Sequence, residues 1–332
     1  MSLFPATIIH PPLSLSYGRM TVQSTLWNGV PRMRGKERST ELELRCMSYN
    51  IKNDYDLEGE NIWNGRRDMV AGIIRFHRPD LVGMQEVLHR QLEDLQERLP
   101  EYGWVGSGRD DGEKEGEFCC IFYLKKRLEP LKHGRFWLSE EPEKPGVPGW
   151  DAACPRIVTW CVFRDIDTGE VITHLNTHFD HIGKVAVEQS AHLIKNRIRE
   201  ISGEGATVLT GDFNVTRASG AYGILTRQEG GEAVSLLYDA SLTADYKHFG
   251  PEFTFQGFDI AEVAARQFPS CVSSREGHGI EFDSAIDFIF VTRGVRVRNY
   301  GVIADHRQGK LPSDHFPVVA DVLVAAGPAV RG

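Results

Sequence analysis

The chain reads as one large α/β domain covering residues 41–325. Short apolar runs rich in β-branched and aromatic residues alternate with amphipathic helical stripes along that stretch. No composition break, low-complexity linker or internal repeat interrupts the alternation. With 332 residues, 41% hydrophobic and 25% charged, the chain is ample for one large core.

The elements follow in order. In ELELRCMSYNI, from Glu41 to Ile51, the side chains Leu42, Leu44 and Cys46 take one face of a strand, and Met47, Tyr49 and Ile51 the other. Met69, Ile73 and Phe76 recur at helical spacing, and DLVGMQE reads as a short buried strand. Leu88, Leu92, Leu95 and Leu99 then form a helical stripe. FCCIFYL, RIVTWCVF and EVITHLNTH are strands, separated by an acidic Gly-rich loop (GRDDGEKEGE) and a loop with four prolines (SEEPEKPGVPGWDAACP). Loops that long inside a compact domain commonly form functional rims or lids. Val187, Ala191, Ile194, Ile198 and Ile201 mark another helix, ATVLTGDFN a strand ending in a polar turn, and AIDFIFV and FPVVADVLV the last strands.

Residues 1–40 hold Pro5, Pro11, Pro12 and Pro31 and a basic patch from Arg32 to Arg38, and read as an irregular leader, with Met20 or Met33 as alternative starts. Residues 326–332 read as a tail. The N-terminus lacks an early basic cluster and is broken by Pro11–Pro12, a poor signal peptide. No apolar run approaches the roughly 20 residues a spanning helix needs. The six cysteines (Cys46, Cys119, Cys120, Cys154, Cys161 and Cys271) form neither a CxxC pair nor a zinc spacing, and are expected to be buried free thiols. A cytoplasmic location follows from both readings. The formal charge of −8 argues against a scaffold held to nucleic acid by counterion release, without excluding a metal-assisted nuclease.

Polar residues gather where apolar strands end: Asn50, Glu86, His178, Asp212, Asn214, Asp287 and His315. One such residue is as often a helix cap or turn residue as a functional one. Seven together, all of metal- or phosphate-binding type, point to a shared cleft.

Five segments in order, MSYNI (47–51), MQE (84–86), NTH (176–178), GDFN (211–214) and SDH (313–315), with AIDFIFV (285–291) before the last, resemble the endonuclease/exonuclease/phosphatase superfamily, the DNase I-like fold. The resemblance implies a four-layered α/β sandwich, in which two mixed, mainly antiparallel sheets pack face to face with helices outside. It also implies roles. Glu86 would ligate a divalent cation, with Asn50 beside it on metal or phosphate and Asp314 nearby. Such hard oxygen donors suit Mg²⁺, with Mn²⁺ as the alternative. Asp212 would orient or deprotonate the attacking water, and the Asn214 amide would bind the phosphate. His315, partnered by Asp287, would face the scissile phosphate, with His178 as a second phosphate-facing histidine and Arg156 forking onto phosphate oxygens. Where the family pattern carries a basic residue shortly before Asp287, this chain has Ser284–Ala285.

The chemistry expected is direct water attack on a phosphoester, with no covalent intermediate; no GxSxG elbow or GxxxxGK[ST] loop occurs. Asp180 and His181, following NTH, and the proline-rich loop would shape a closed pocket for a small phosphorylated compound, with Trp137 or Trp150 available to stack on a ring. A nuclease on DNA or RNA is the alternative. A catalytically silent binding module is a further one, disfavoured because every motif residue is present. No protein partner is predicted.

Overall fold

Strand β1 (Glu41–Asn50) sets the architecture, because its two apolar faces feed two different cores. The computed structural model describes residues 41–55, 59–227, 235–248, 250–259 and 285–325, all within one compact unit. The leader, its basic patch, Met20 and Met33, Ser284, Cys271 and the C-terminal tail lie outside the described residues.

A seven-stranded sheet runs in the order β10 (Tyr246–Lys247), β12 (Val295–Val302), β13 (Val318–Ala325), β1, β2 (Leu81–Gln85), β4 (Ile121–Leu124), β3 (Tyr102–Val105). A six-stranded sheet runs β5 (Leu128–Trp137), β6 (Ile157–Asp165), β7 (Val171–His178), β8 (Thr207–Asp212), β11 (Asp287–Thr292), β9 (Leu237–Asp239). Most pairings are antiparallel; β1–β2, β7–β8 and β10–β12 are parallel. Leu42, Leu44 and Cys46 pack between the sheets with Phe163, Val208, Ile289 and Val318. Met47, Tyr49 and Ile51 face outward under α1 (Trp63–His77) and α2 (His89–Arg98). Helices α3 (Lys184–Ser202) and α4 (Gly220–Thr226) cover the other sheet, and α5 (Ala240–Thr243) follows β9. Helix, sheet, sheet, helix is the four-layered arrangement expected.

The parallel pairs matter for function. β1 and β2 are joined through α1, and β7 and β8 through α3, so all four strands end at the same edge of the sandwich. The antiparallel strands β11 and β13 begin there. The sheets are locked by polar groups. Asn176 Nδ2 of β7 donates to the carbonyls of Met84 (2.8 Å) and Cys120 (3.0 Å) in the opposite sheet, and Gln85 Nε2 donates to Asn176 Oδ1 at 2.6 Å. Gly83 makes that approach feasible: a Cβ there would stand 2.0 Å from Thr210 Oγ1 and 2.4 Å from Asn176 Oδ1.

Some details differ from the sequence reading. The buried face of α1 is Trp63, Arg66, Val70, Ala71, Ile73 and Ile74; Phe76 is 79% exposed and Met69 half-buried, because the inward stripe runs one position away from the Met69–Phe76 row. Cys119 and Cys120 precede β4 and bury into separate clusters. All five described cysteines are free thiols, and Cys154 alone among them is half-buried. No helix among the described residues is long and apolar enough to cross a membrane.

Candidate active site

The converging strand ends bring the chemistry-bearing residues together. Asn50 ends β1, Glu86 follows β2, His178 ends β7, Asp212 ends β8 and Asp287 starts β11. Across the six-stranded sheet His178 is in register with Asp212, and Asp212 with Asp287, so three site residues stand in one row. Glu86 (φ 60°) and Asn214 (φ 50°) adopt left-handed backbone, which turns each side chain out of its strand. Glu86, His178, Asp212, Asn214, Asp314 and His315 all line one cavity of about 430 Å³.

Hydrogen bonds join these groups into one network. Asn50 Nδ2 donates to Glu86 Oε1 (3.0 Å) and to Asp212 Oδ2 (2.9 Å), while its Oδ1 accepts the Lys52 N–H at 3.0 Å. Both amide hydrogens of Asn50 are therefore committed to carboxylates; the residue braces Glu86 against Asp212. Asn214 is committed likewise. Its Nδ2 donates to the Phe179 carbonyl and to His178 Nε2, both at 3.0 Å. A carbonyl only accepts, so this contact fixes the amide orientation, makes His178 Nε2 an acceptor and leaves the proton on Nδ1. Asn214 thus orients His178, and both of its amide hydrogens have protein partners here. Its own N–H holds Asp212 Oδ1 at 3.0 Å.

The two histidines are held in opposite states. Burial first, then the Arg156 and Arg109 charges, push His178 well below the usual imidazole range, so it is neutral and acts as a hydrogen-bonding group rather than a charge. Burial also opposes the charged form of His315, but Asp287, Asp212 and the hydrogen bond from Nδ1 to Asp287 Oδ2 (2.8 Å) outweigh it and raise His315 to about 10. Its Nε2 stands 3.6 Å from Asp212 Oδ2, and Phe255 packs edge-on against the ring at 5.0 Å. Burial and then the Asp287 charge raise Asp212 above the usual carboxylate range.

A hard cation fits the carboxylate side. Glu86 and Asp314 are both buried, and Lys52 Nζ stands between them, 3.3 Å from Glu86 Oε2 and 3.9 Å from Asp314 Oδ2. An ammonium thus stands where these oxygens could hold a divalent ion. Burial opposes ionisation of Glu86, but Lys52, Asn50, His315 and the Asn53 N–H together keep it below its usual range. Asp212, Asp287 and His315 also place donor atoms within 4.8 Å of one another. There, the short His315–Asp287 hydrogen bond and the protonated ring favour a proton over a metal.

Arg156 lines the same cavity, its Nε donating to Asp180 Oδ1 at 3.3 Å and its NH2 lying 2.9 Å from His181 Nδ1. Asp180 stands behind Arg156 and also accepts from the Ala153 and Gly183 N–H groups, tying the proline-rich loop to the segment after β7. Neither Trp137 nor Trp150 lines the cavity. Trp137 is 2% exposed and donates to the Arg109 carbonyl, so ring stacking on a substrate there is ruled out by its burial. The residue reading passed over Lys52, Asn53, Arg109, Glu117 and Phe255, which line the cavity too. Asn53 Nδ2 bridges Glu86 (2.7 Å) and Glu117 (2.9 Å). Arg109 and Glu117 close the ends of the acidic loop, where the Arg109 N–H donates to the Glu117 carbonyl. The signal was there: a Gly-rich hairpin whose two ends are oppositely charged brings those charges together.

Known proteins of the same architecture carry the same arrangement of the chain. An endonuclease/exonuclease/phosphatase from Bacteroides vulgatus is 42% identical, with a TM-score of 0.76 over 85% of this chain and 99% of that one. A mannosyl-6-phosphatase of Bacteroides thetaiotaomicron is 34% identical, with a TM-score of 0.71 over 84% and 99%. An uncharacterised protein of Acanthamoeba polyphaga mimivirus is 26% identical over 76% of this chain, which spans only 41% of that protein's length. The model of the endonuclease/exonuclease/phosphatase family matches residues 47–315, from the start of MSYNI to the end of SDH. The motifs, the two packed sheets and these matches agree: the chain belongs to the endonuclease/exonuclease/phosphatase family.

Proposed function

We propose that this protein is a divalent-metal-dependent hydrolase of a small phosphorylated compound, acting by direct attack of water. The observation that carries the reading is the meeting, in one cavity, of a carboxylate pair suited to a hard cation (Glu86, Asp314) with an imidazolium (His315) and a carboxylate of raised pKa (Asp212). A cavity of about 430 Å³ lies within the range of small-molecule pockets, about 300–1,000 Å³. The acidic chain and the walls contributed by both long loops favour a compact substrate over a polymer. The mannosyl-6-phosphatase is a relative whose name fits that class.

When bound, a divalent cation supplies charge neutralisation at a phosphoryl oxygen. Glu86 and Asp314 would hold it, and Asn50 keeps Glu86 turned towards it. Asp212, fixed by Asn50 and the Asn214 N–H, orients the attacking water, and its raised pKa suits it to receive a proton near neutral pH. His315 presents a charged N–H towards the cavity, where it meets charge developing on the phosphoryl oxygens. Asp287 keeps that ring charged and correctly turned. Arg156 and the His178 Nδ1–H complete the phosphate's surroundings.

The test is a hydrolysis screen with Mg²⁺ and with Mn²⁺, covering sugar phosphates, nucleotides, chromogenic mono- and diesters, RNA and supercoiled DNA. Turnover of small phosphoesters that stops in chelator is expected. Efficient plasmid nicking with no small-substrate turnover would overturn the preference and favour the nuclease.

A further inference from the structure

Lys52 has a fixed backbone and a side chain with room to move. It takes the left-handed conformation (φ 57°), uncommon for a residue with a Cβ. Three hydrogen bonds hold it there. Its N–H donates to Asn50 Oδ1 at 3.0 Å, and its carbonyl accepts from Arg66 NH2 at 2.8 Å and from Gln91 Nε2 at 2.9 Å. Backbone held away from its preferred conformation clusters at functional sites. The side chain reaches the cavity, where Nζ stands 3.3 Å from Glu86 Oε2 and 3.9 Å from Asp314 Oδ2. Among the described residues no other cation lies within 4 Å of either carboxylate. Arg66, fully buried, spends its hydrogen bonds on the carbonyls of Ile51, Lys52, Asn53, Asn61 and Pro312. The Lys52 side chain is 27% exposed, against 11% for Glu86 and 9% for Asp314, so the ammonium is the member of this trio free to leave.

We propose that Lys52 is a tethered counter-ion that competes with the divalent cation for Glu86 and Asp314, and so sets how tightly the metal is held. The inference rests on reading those two carboxylates as the metal ligands, and it adds a residue that regulates them. Two buried carboxylates near one point repel each other, and a buried charge without a partner is costly. Lys52 places one positive charge between them, which offsets that repulsion and keeps the pair in shape before an ion arrives. Coulomb attraction scales with charge. A divalent ion at the same place therefore displaces the ammonium, whereas a monovalent ion gains nothing over it. The exchange favours Mg²⁺ or Mn²⁺ over Na⁺ and K⁺. Every ion that binds has to expel Lys52, which lowers the apparent affinity as any competitor does. Because this competitor is part of the chain, its local concentration never dilutes.

The experiment is calorimetric titration of Mn²⁺ and of Mg²⁺ into the full chain and into Lys52→Met, Lys52→Gln, Lys52→Arg and Glu86→Gln. Thermal midpoints are measured for the same proteins in chelator and in excess Mn²⁺. Lys52→Met keeps the length of the side chain and removes its charge. It should bind Mn²⁺ about tenfold more tightly than the parent, the scale of a partly buried ion pair no longer in the way. Its midpoint should lie below the parent's in chelator and rise further on adding Mn²⁺, because the ion then replaces the missing charge. Lys52→Arg keeps the charge and should bind close to the parent's affinity. Lys52→Gln carries the comparison if Lys52→Met does not fold. A residue that only supports the fold would lose stability equally with and without Mn²⁺, and its removal would not tighten binding. Affinity unchanged or weakened in both neutral variants, in a parent that binds the ion, would overturn the role of Lys52 and leave the metal reading intact. Binding that survives Glu86→Gln, or no binding in any of the proteins, would overturn the metal reading and this one with it.

Discussion

His315 Nδ1 lies 2.8 Å from Asp287 Oδ2, with both side chains almost wholly buried. That contact, with the Asp212 charge beside it, keeps a buried imidazole charged against the cost of its burial. His315→Ala is expected to lower kcat about 100-fold or more, on the scale of acid–base and electrostatic groups. Asp287→Asn removes the charge but keeps the shape, and should also be severe. The double substitution should cost far less than the two losses combined, because the pair acts as a unit. Steady-state kinetics on all three variants decide the matter; fully additive losses would mean the residues act separately.

Glu86 accepts three hydrogen bonds, from Asn50 Nδ2 and from the Asn53 N–H and Nδ2, and pairs with Lys52. Glu86→Gln keeps its size and removes the charge a hard cation needs. Activity should fall about 1,000-fold while the thermal midpoint stays close to that of the parent chain. Titration calorimetry with Mn²⁺ should show the binding lost as well. An unchanged metal dependence would show that Glu86 is not a ligand.

His174 predicts an acid-dependent stability. It is fully buried between the sheets, its Nε2 2.8 Å from Thr210 Oγ1, and burial lowers it from 6.5 to about 3. Its neutral form stabilises the fold in full above pH 6.5. As pH falls from there towards 3, the unfolded chain takes up a proton the folded one refuses, at a cost of up to about 1.4 kcal/mol per pH unit. His174→Gln keeps a hydrogen-bonding side chain and removes that proton. Chemical denaturation at pH 7.5 and pH 4.5 should show the variant losing less stability than the parent between the two. Parallel losses would place the acid sensitivity elsewhere.

Gly83→Ala should destabilise by about 2 kcal/mol or more, since the new methyl meets two polar side chains at under 2.5 Å in a packed interior. Activity should drop too, because Glu86 lies three residues further along. A thermal midpoint within a degree of the parent would show that Thr210 and Asn176 can move aside.

The legible part of this protein was its periodicity and its strand ends. The alternation in ELELRCMSYNI assigned each apolar side chain of that segment to a core, and both cores are present. Strands β5 and β12 went unread, since β5 is a mostly exposed edge strand containing Pro130, and VRVRNYGV is half polar. Pairing to a neighbour makes them strands, and pairing is not a local property. Most motif residues line one cavity, while Asn50 and Asp287 sit behind it on Asp212 and His315; the hydrogen-bonding direction of Asn50 and Asn214 is not a local property. Which way an amide points depends on partners distant in sequence, such as Asp212 for Asn50 and Phe179 for Asn214. The acidic loop reads as a functional rim, but nothing local singles out Arg109 and Glu117 within its run of charges.

Asn176 acts as a dowel through the sandwich. Its amide crosses from β7 to backbone carbonyls of the opposite layer just before Glu86 and just before β4, so it sets how far one sheet can slide along the other. The half-site on β1 and β2 and the half-site on β7, β8 and β11 face each other across that setting, with Asn50 and Asp212 as a second tie. Alignment of the site thus depends on sheet registration as well as on the loops that line the cavity. Moderate denaturant that loosens this pin should silence the enzyme while both sheets remain folded, and turnover becomes a gauge of slippage between two intact layers.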